Sequence, residues 1–196
     1  EAGVVNVTVV DLARAPIAGA RVAVKELAEQ AGETDAKGHA RIAPVRPGWL
    51  VLEARARGYA AASVTVAVGS AGATTDVTIT MHTGFAVSGR VTDESGAPLA
   101  KVRVTTDDGA LARNTEESMT DANGRFSFAA LAPGIHTLVA IDGEHAPARS
   151  QPITIADRRI ENVEIAMKSG GVVAGTVASS DGKPVPFATV RIATRD

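Results

Sequence analysis

The chain has 196 residues, of which 45% are hydrophobic but only 3% aromatic, and its formal net charge is −2. Lys and Arg are scattered among Asp and Glu, which excludes the basic stripe of a nucleic-acid binder and the Lys/Arg-rich amphipathic helix of a membrane-surface protein. No apolar run approaches the roughly 20 residues that cross a bilayer, and a chain without cysteine forms neither a disulfide nor a thiolate metal site.

Glu1 leads almost directly into a strand, so the chain reads as a mature segment from which any export signal has been removed. Val4–Val10 is a β-branched run with Asn6 and Thr8 at alternate positions. A turn follows from Ala15-Pro16 to Gly19, and Arg21–Lys25 alternates polar and apolar as a half-buried strand does. Val24–Ala31 is the best helical candidate, but it is short and falls where a strand should end. Asp35-Ala36-Lys37-Gly38 fits a type I turn, and Pro47-Gly48 fits the centre of a type II turn. Leu50–Ala56, Ser63–Val68 and Asp76–Met81 complete six or seven short strands.

Then the text repeats. TDAKGHARI at Thr34–Ile42 returns as TDANGRFSF at Thr120–Phe128, and VRPGWLVLEA at Val45–Ala54 returns as LAPGIHTLVA at Leu131–Ala140. The offsets 121−35, 134−48 and 167−81 all equal 86. A fixed period of domain length means an array of similar modules. The second copy opens with Val87–Thr92 and Val102–Thr106 around the turn DESGAP at Asp93–Pro98, and its polar segment Thr106–Met119 reads as an exposed loop. Phe126 and Phe128 share a parity, so one face of their strand is buried. Asp121-Gly124 and Pro133-Gly134 repeat the two turns, and Ile153, Ile155, Val163 and Ile165 mark the last two strands. VSGRV at Val87–Val91 recurs once more as VAGTV at Val173–Val177.

The period divides the chain into residues 1–82, residues 83–169 and the start of a third copy at 170–196, with links as short as His82-Thr83-Gly84. The expected architecture is all-β: tandem, mainly antiparallel sandwiches of about seven strands, joined end to end. Two strands of the third copy, 172–178 and 189–194, lack partners. They are expected to be poorly ordered or to pair edge to edge with another chain, and the natural protein is expected to continue.

Gly89, Val91, Gly96, Pro98, Val102, Thr120, Asp121, Gly124, Phe126, Phe128, Leu131, Pro133, Gly134, Leu138 and Ala140 together resemble the signature of the carboxypeptidase regulatory-like domain, a prealbumin-like sandwich. The first unit matches less fully, with Ala40 and Ile42 in place of Phe126 and Phe128 and Asn6-Val7 in place of Ser88-Gly89. The resemblance implies a non-catalytic module, of a kind whose tandem bacterial copies belong to secreted or surface proteins. It implies an extracytoplasmic location and protein or surface-glycan partners, with no nucleic acid and no membrane insertion. It also places the fold near carbohydrate-binding-like sandwiches, and leaves open a regulatory appendage to an enzyme encoded elsewhere.

Candidate chemistry is sparse. His39, His82, His136 and His145 show neither HxxE nor HExxH spacing, and no GxSxG or phosphate-binding loop is present. No cofactor is expected. Asp107 and Asp108 in the long loop, near Glu116 and Glu117, are the candidate Ca²⁺ ligands, with Arg103 and Arg113 close enough to neutralise them. Asp35 and Asp121 are expected to close their own turns by accepting a backbone N–H two residues on. Trp49 and Tyr59 are the candidate sugar-stacking pair. The register partner of Trp49 is Ile135, which favours a core position and a cost of about 3–5 kcal/mol for Trp49→Ala. Tyr59 aligns with Glu144, beside the glycines Gly58 and Gly143, and packing is favoured there too.

Overall fold

The computed structural model describes residues 2–25, 27–69, 72–107, 116–171 and 174–190. The first module is built from β1 (Gly3–Asp11), β2 (Arg21–Val24), β3 (Leu27–Glu33), β4 (His39–Val45), β5 (Gly48–Arg55), β6 (Ala62–Val68) and β7 (Thr74–Met81). These form a three-stranded sheet, β4-β1-β7, facing a four-stranded sheet, β3-β2-β5-β6. The stretch that carried a helical signal is the β2–β3 pair. Its helix-forming residues are overridden by tertiary context: β2 is already laddered to β5, and the stretch folds back to pair with β2.

The core follows strand parity. Val5, Val7 and Val9 of β1 point at Val22, Val24, Leu52 and Ala54 of the other sheet, with Ile42, Ile79 and Met81 closing the sides. Aliphatic side chains fill nearly the whole interior, as the low aromatic content requires. The expectation of mainly antiparallel sheets holds with one addition: β1 and β7 pair in parallel. Seven strands that alternate in direction make the first and last run the same way. When those two become neighbours, their pairing is parallel. The chain therefore enters a module at one end and leaves it at the other.

The second module repeats this with interruptions. Its strands are β8 (Phe85–Thr92), β9 (Arg103–Thr106), β10 (Glu117–Met119), β11 (Arg125–Leu131), β12 (Gly134–His136), β13 (Leu138–Ile141), β14 (His145–Ala146), β15 (Ala148–Arg149), β16 (Ile153–Ile155), β17 (Ile160–Ala166) and β18 (Lys168–Ser169). Sheet β11-β8-β17, with β8 and β17 parallel, faces β10-β9-β13-β15 and the short pair β12-β16. Val87, Val91, Val104, Leu138, Ile155, Ile165 and Met167 form the second core, and Phe126 and Phe128 are buried there edge to face, 6.0 Å between ring centroids.

The aspartate turns form as the spacing predicts. Asp35 Oδ1 accepts from the N–H of Lys37 (2.8 Å) and of His39 (2.9 Å); Asp121 does the same for Asn123 and Arg125, both at 2.8 Å. Gly38 and Gly124 follow with φ of 75° and 71°, and a Cβ on either would meet the carbonyl of Val9 or Val91 within 2.5 Å. The Pro-Gly pairs differ from a type II turn: Gly48 and Gly134 have φ of 129° and 143°, far beyond the roughly +80° of that turn. Each already belongs to the strand it starts.

Hydrogen bonding to backbone N–H groups, from His39 and then Lys37, holds Asp35 below the ordinary carboxylate range. The Ser95 hydroxyl and the Ala97 N–H do the same for Asp93. A lowered native value contributes stability above the unfolded value of about 3.9 and loses it as pH falls through the native one. We expect the urea midpoint to be flat near neutrality and to fall below about pH 4. The fall should be shallower in the double variant Asp35→Asn, Asp93→Asn.

Residues 174–190 add no strand, only the bridge Ala178↔Pro184. The rest of the two expected third-copy strands, 172–173 and 191–194, lies outside the described residues. The opening turn is nonetheless formed as in both modules. Val185 N–H bonds Val177 O at 2.9 Å, as Ile17 bonds Val9 and Leu99 bonds Val91, each at 3.0 Å.

Candidate interaction surfaces

The sequence shows a link as short as His82-Thr83-Gly84 between modules, but not the contacts that it makes. The chain leaving β7 does not run free. Thr83 bridges Tyr59, Ala60 N–H bonds His82 O, and Gly84 N–H bonds Gly58 O, both at 2.9 Å. The linker is thus bonded along its length to the module it leaves, through one β-bridge and a hydrogen bond on either side of it. On its other side Gly84 presses against the second module, where a Cβ would meet Ala130 Cβ at 2.5 Å. Arg55 of β5 crosses the joint to Glu116 at 3.0 Å, and a groove of about 440 Å³ lies between the walls, lined by Arg57, Tyr59, Phe128 and Ala129 among others.

The same clamp recurs 86 residues on. His145 pairs with Ser169 and Ala146 with Lys168, and Gly170 N–H bonds Glu144 O at 3.1 Å. Tyr59 therefore corresponds to His145, one residue from the alignment with Glu144 that the flanking glycines suggested. The signal that finds the joint in sequence is the repeat of Gly84 at Gly170.

Trp49 is not in the core. It is 76% exposed, and its register partner Ile135 is 73% exposed. The equivalence of the two positions was right, but their shared environment is solvent. The parity of β5 explains why: Leu52 and Ala54 face inward, whereas Trp49 alternates with Val51, Glu53 and Arg55 on the outer face. Tyr59 is half-buried and packs against the first core. The two aromatics flank opposite ends of β5, six or more residues of strand apart, or about 20 Å. They do not form one platform.

Asp107 is paired with Arg149, and its N–H bonds Thr137 O at 2.7 Å. The neutralising arginine is thus Arg149 rather than Arg103. Asp108 and Arg113 lie outside the described residues. Glu116 is held by Arg55, and among the described residues no three His, Asp or Glu side chains gather as a metal site would require. His136 Nε2 meets Ala132 O at 2.8 Å. His145 Nδ1 meets Asp142 Oδ2 at 2.7 Å. Burial would raise Asp142, but the N–H groups of His145 and Glu144 and the His145 ring outweigh it and lower its pKa. Two larger hollows, of about 840 and 550 Å³, lie at equivalent places on the outer faces of the three-stranded sheets, over Ser88, Arg90 and Glu164 in one and Asn6, Thr8 and Thr78 in the other.

The model of the carboxypeptidase regulatory-like domain matches residues 4–82 and 86–168. This chain belongs to the carboxypeptidase regulatory-like domain family. Both matched copies span the observed cores, and the joint lies between them. No protein of curated function matches. Among solved structures the two domains are similar to the Bacillus anthracis TIE protein, at 15% identity over 94% of this chain and 40% of that one, TM-score 0.38. They are also similar to the minor pilin GBS52 of Streptococcus agalactiae (15% identity, 90% and 99% covered, TM-score 0.36). A third is the shaft pilin SpaA of Lactobacillus rhamnosus GG (12%, 89% and 100%, TM-score 0.35). The chain spans less than half of the first of these proteins.

Proposed function

We propose that this pair of carboxypeptidase regulatory-like domains is a non-enzymatic spacer and protein-interaction segment of a secreted or cell-surface bacterial protein. The observation that carries the reading is the clamp: at the end of each module the departing chain is hydrogen-bonded back onto the module it leaves, by a β-bridge and two flanking bonds in the first and by the short pair β14–β18 in the second. A flexible tether would leave those residues unpaired. Entry and exit at opposite ends extend the chain as modules are added, which suits a part that sets distance. Among the described residues, Asp107 is paired with Arg149, Glu116 with Arg55 and Asp142 with His145.

A chain without cysteine takes two spin labels cleanly. Labels at the equivalent exposed positions Thr78→Cys and Glu164→Cys should give one narrow electron–electron distance distribution. A broad or multimodal distribution would remove the spacer reading.

A further inference from the structure

The single tryptophan of the chain stands on the outer face of the four-stranded sheet of the first module, an unusual place for the largest apolar side chain in a protein so poor in aromatics. Its cross-strand neighbour is Ala67, too small to cover the indole, and Val51 and Thr65 stand opposite each other next along the same face. Farther along, Glu53 lies opposite Ala23, and Arg55 opposite Arg21. Here the face dips into a shallow hollow of about 160 Å³ lined by Arg21, Ala23, Lys25, Glu53 and Arg55. Glu53 and Arg55 are paired at 2.5 Å. One face thus offers a flat apolar plate at one end and a cluster of donors and acceptors at the other, its middle at Glu53 about 13 Å from Trp49 along β5.

We propose that this face binds a linear glycan, one pyranose ring lying on the Trp49 indole and a ring several units away hydrogen-bonded in the hollow. A pyranose has an apolar C–H face and a rim of hydroxyls, which is the pairing of surfaces this strip presents. The second module shows that the fold does not require these residues. Its equivalents of Trp49, Glu53 and Arg55, offset by 86, are Ile135, Val139 and Ile141. The face is narrow, about 14 Å across its three strand spacings, which suits a single extended chain of sugar rings.

Because Trp49 is the only tryptophan, its emission reports this site alone. The test is a printed array of linear neutral and acidic oligosaccharides, followed by fluorescence and calorimetric titration of the whole chain with the best-bound hexasaccharide, or with cellohexaose if the array is blank. The expected result is a saturable blue shift. Calorimetric affinity should fall about tenfold or more in Trp49→Ala and by a smaller factor in Lys25→Ala. Trp49→Ala should keep its unfolding midpoint, since the side chain is outside the core. A blank array with a flat titration would overturn the proposal, as would glycan binding that survives Trp49→Ala. Capture of a protein partner through Trp49 without glycan binding would also overturn it. None of these outcomes bears on the spacer reading, which rests on the inter-module distance.

Discussion

Gly89→Val should destabilise the second module by about 3 kcal/mol or more, at the upper end of what overpacking a core costs. A Cβ at this position would meet the carbonyl oxygen of Val163 at 2.1 Å and the Phe126 ring at 2.5 and 2.9 Å. The carbonyl belongs to the parallel neighbour β17, where the register slips between Ile160 and Val163 and Asn162 takes a φ of 61°. That irregularity brings the backbone against Gly89, and a backbone atom in a ladder cannot step aside as a side-chain tip can. The first module supplies the control. Its equivalent residue is Val7, fully buried without strain, and opposite it Ala40 replaces Phe126. The two modules thus divide one volume differently, valine with alanine or glycine with phenylalanine.

For a domain of this size each kcal/mol moves the midpoint by about 4–8 °C. Calorimetry of Gly89→Val should therefore show the second module melting roughly 12–24 °C early, apart from the first. Phe126→Ala alone should cost about 3–5 kcal/mol. The double variant should fall short of the sum of the two by at least about 1 kcal/mol, since the pair shares one space. Rescue stays partial because the Val163 carbonyl remains. A midpoint within two or so degrees of the parent would mean that the close approach is not a real constraint.

Much of this architecture could be read from the residues, for reasons that particular positions make plain. Asp35 and Asp121 write their turns locally: an aspartate side chain closes onto the N–H two residues later whatever the rest of the fold does. Phe126 and Phe128 declare a buried face by sharing a parity. Positions set by distant partners were harder. The parallel pairing of β1 with β7 is decided only when seven alternating strands close into a sandwich. The expectation for Trp49 failed on a rule that was available, since Glu53 and Arg55 share its parity and mark that face as wet. Comparison with Ile135 correctly matched the environments without saying which environment it was. The contacts of the joint were hidden because Gly84 is wedged between Ala130, 46 positions later (130−84), and Ala60 of the first module. A glycine that flanks a linker reads as freedom until its neighbour is known.

That crowding supports the last prediction: Gly84→Val should uncouple the modules while leaving each one folded. The added Cβ would meet Ala130 Cβ at 2.5 Å, Ala60 N at 2.8 Å and Ala130 Cα at 3.0 Å, none of them the end of a flexible side chain. Either the linker lifts off the first module, breaking the bonds from Ala60 to His82 and from Gly84 to Gly58, or Ala130 and the second module move away from the linker. The remaining contact across the joint includes Arg55–Glu116, a partly exposed pair of the kind worth about 0–1 kcal/mol, too little to hold two domains in place. The distance distribution between labels at positions 78 and 164 should broaden. Amide exchange at Ala60 and position 84 should quicken about tenfold or more as two hydrogen bonds of about 1 kcal/mol each are lost. Both module midpoints should stay within a few degrees of the parent, because neither core contains the substituted residue. Gly170→Val is the matched control. Its Cβ would crowd Glu144 O at 2.7 Å, at the far end of the second module, so it should loosen the second clamp and leave the distance between the first two modules as it was. If Gly84→Val kept the narrow distribution, the short linker alone would be setting the geometry, and the clamp would be a consequence of that geometry rather than its cause.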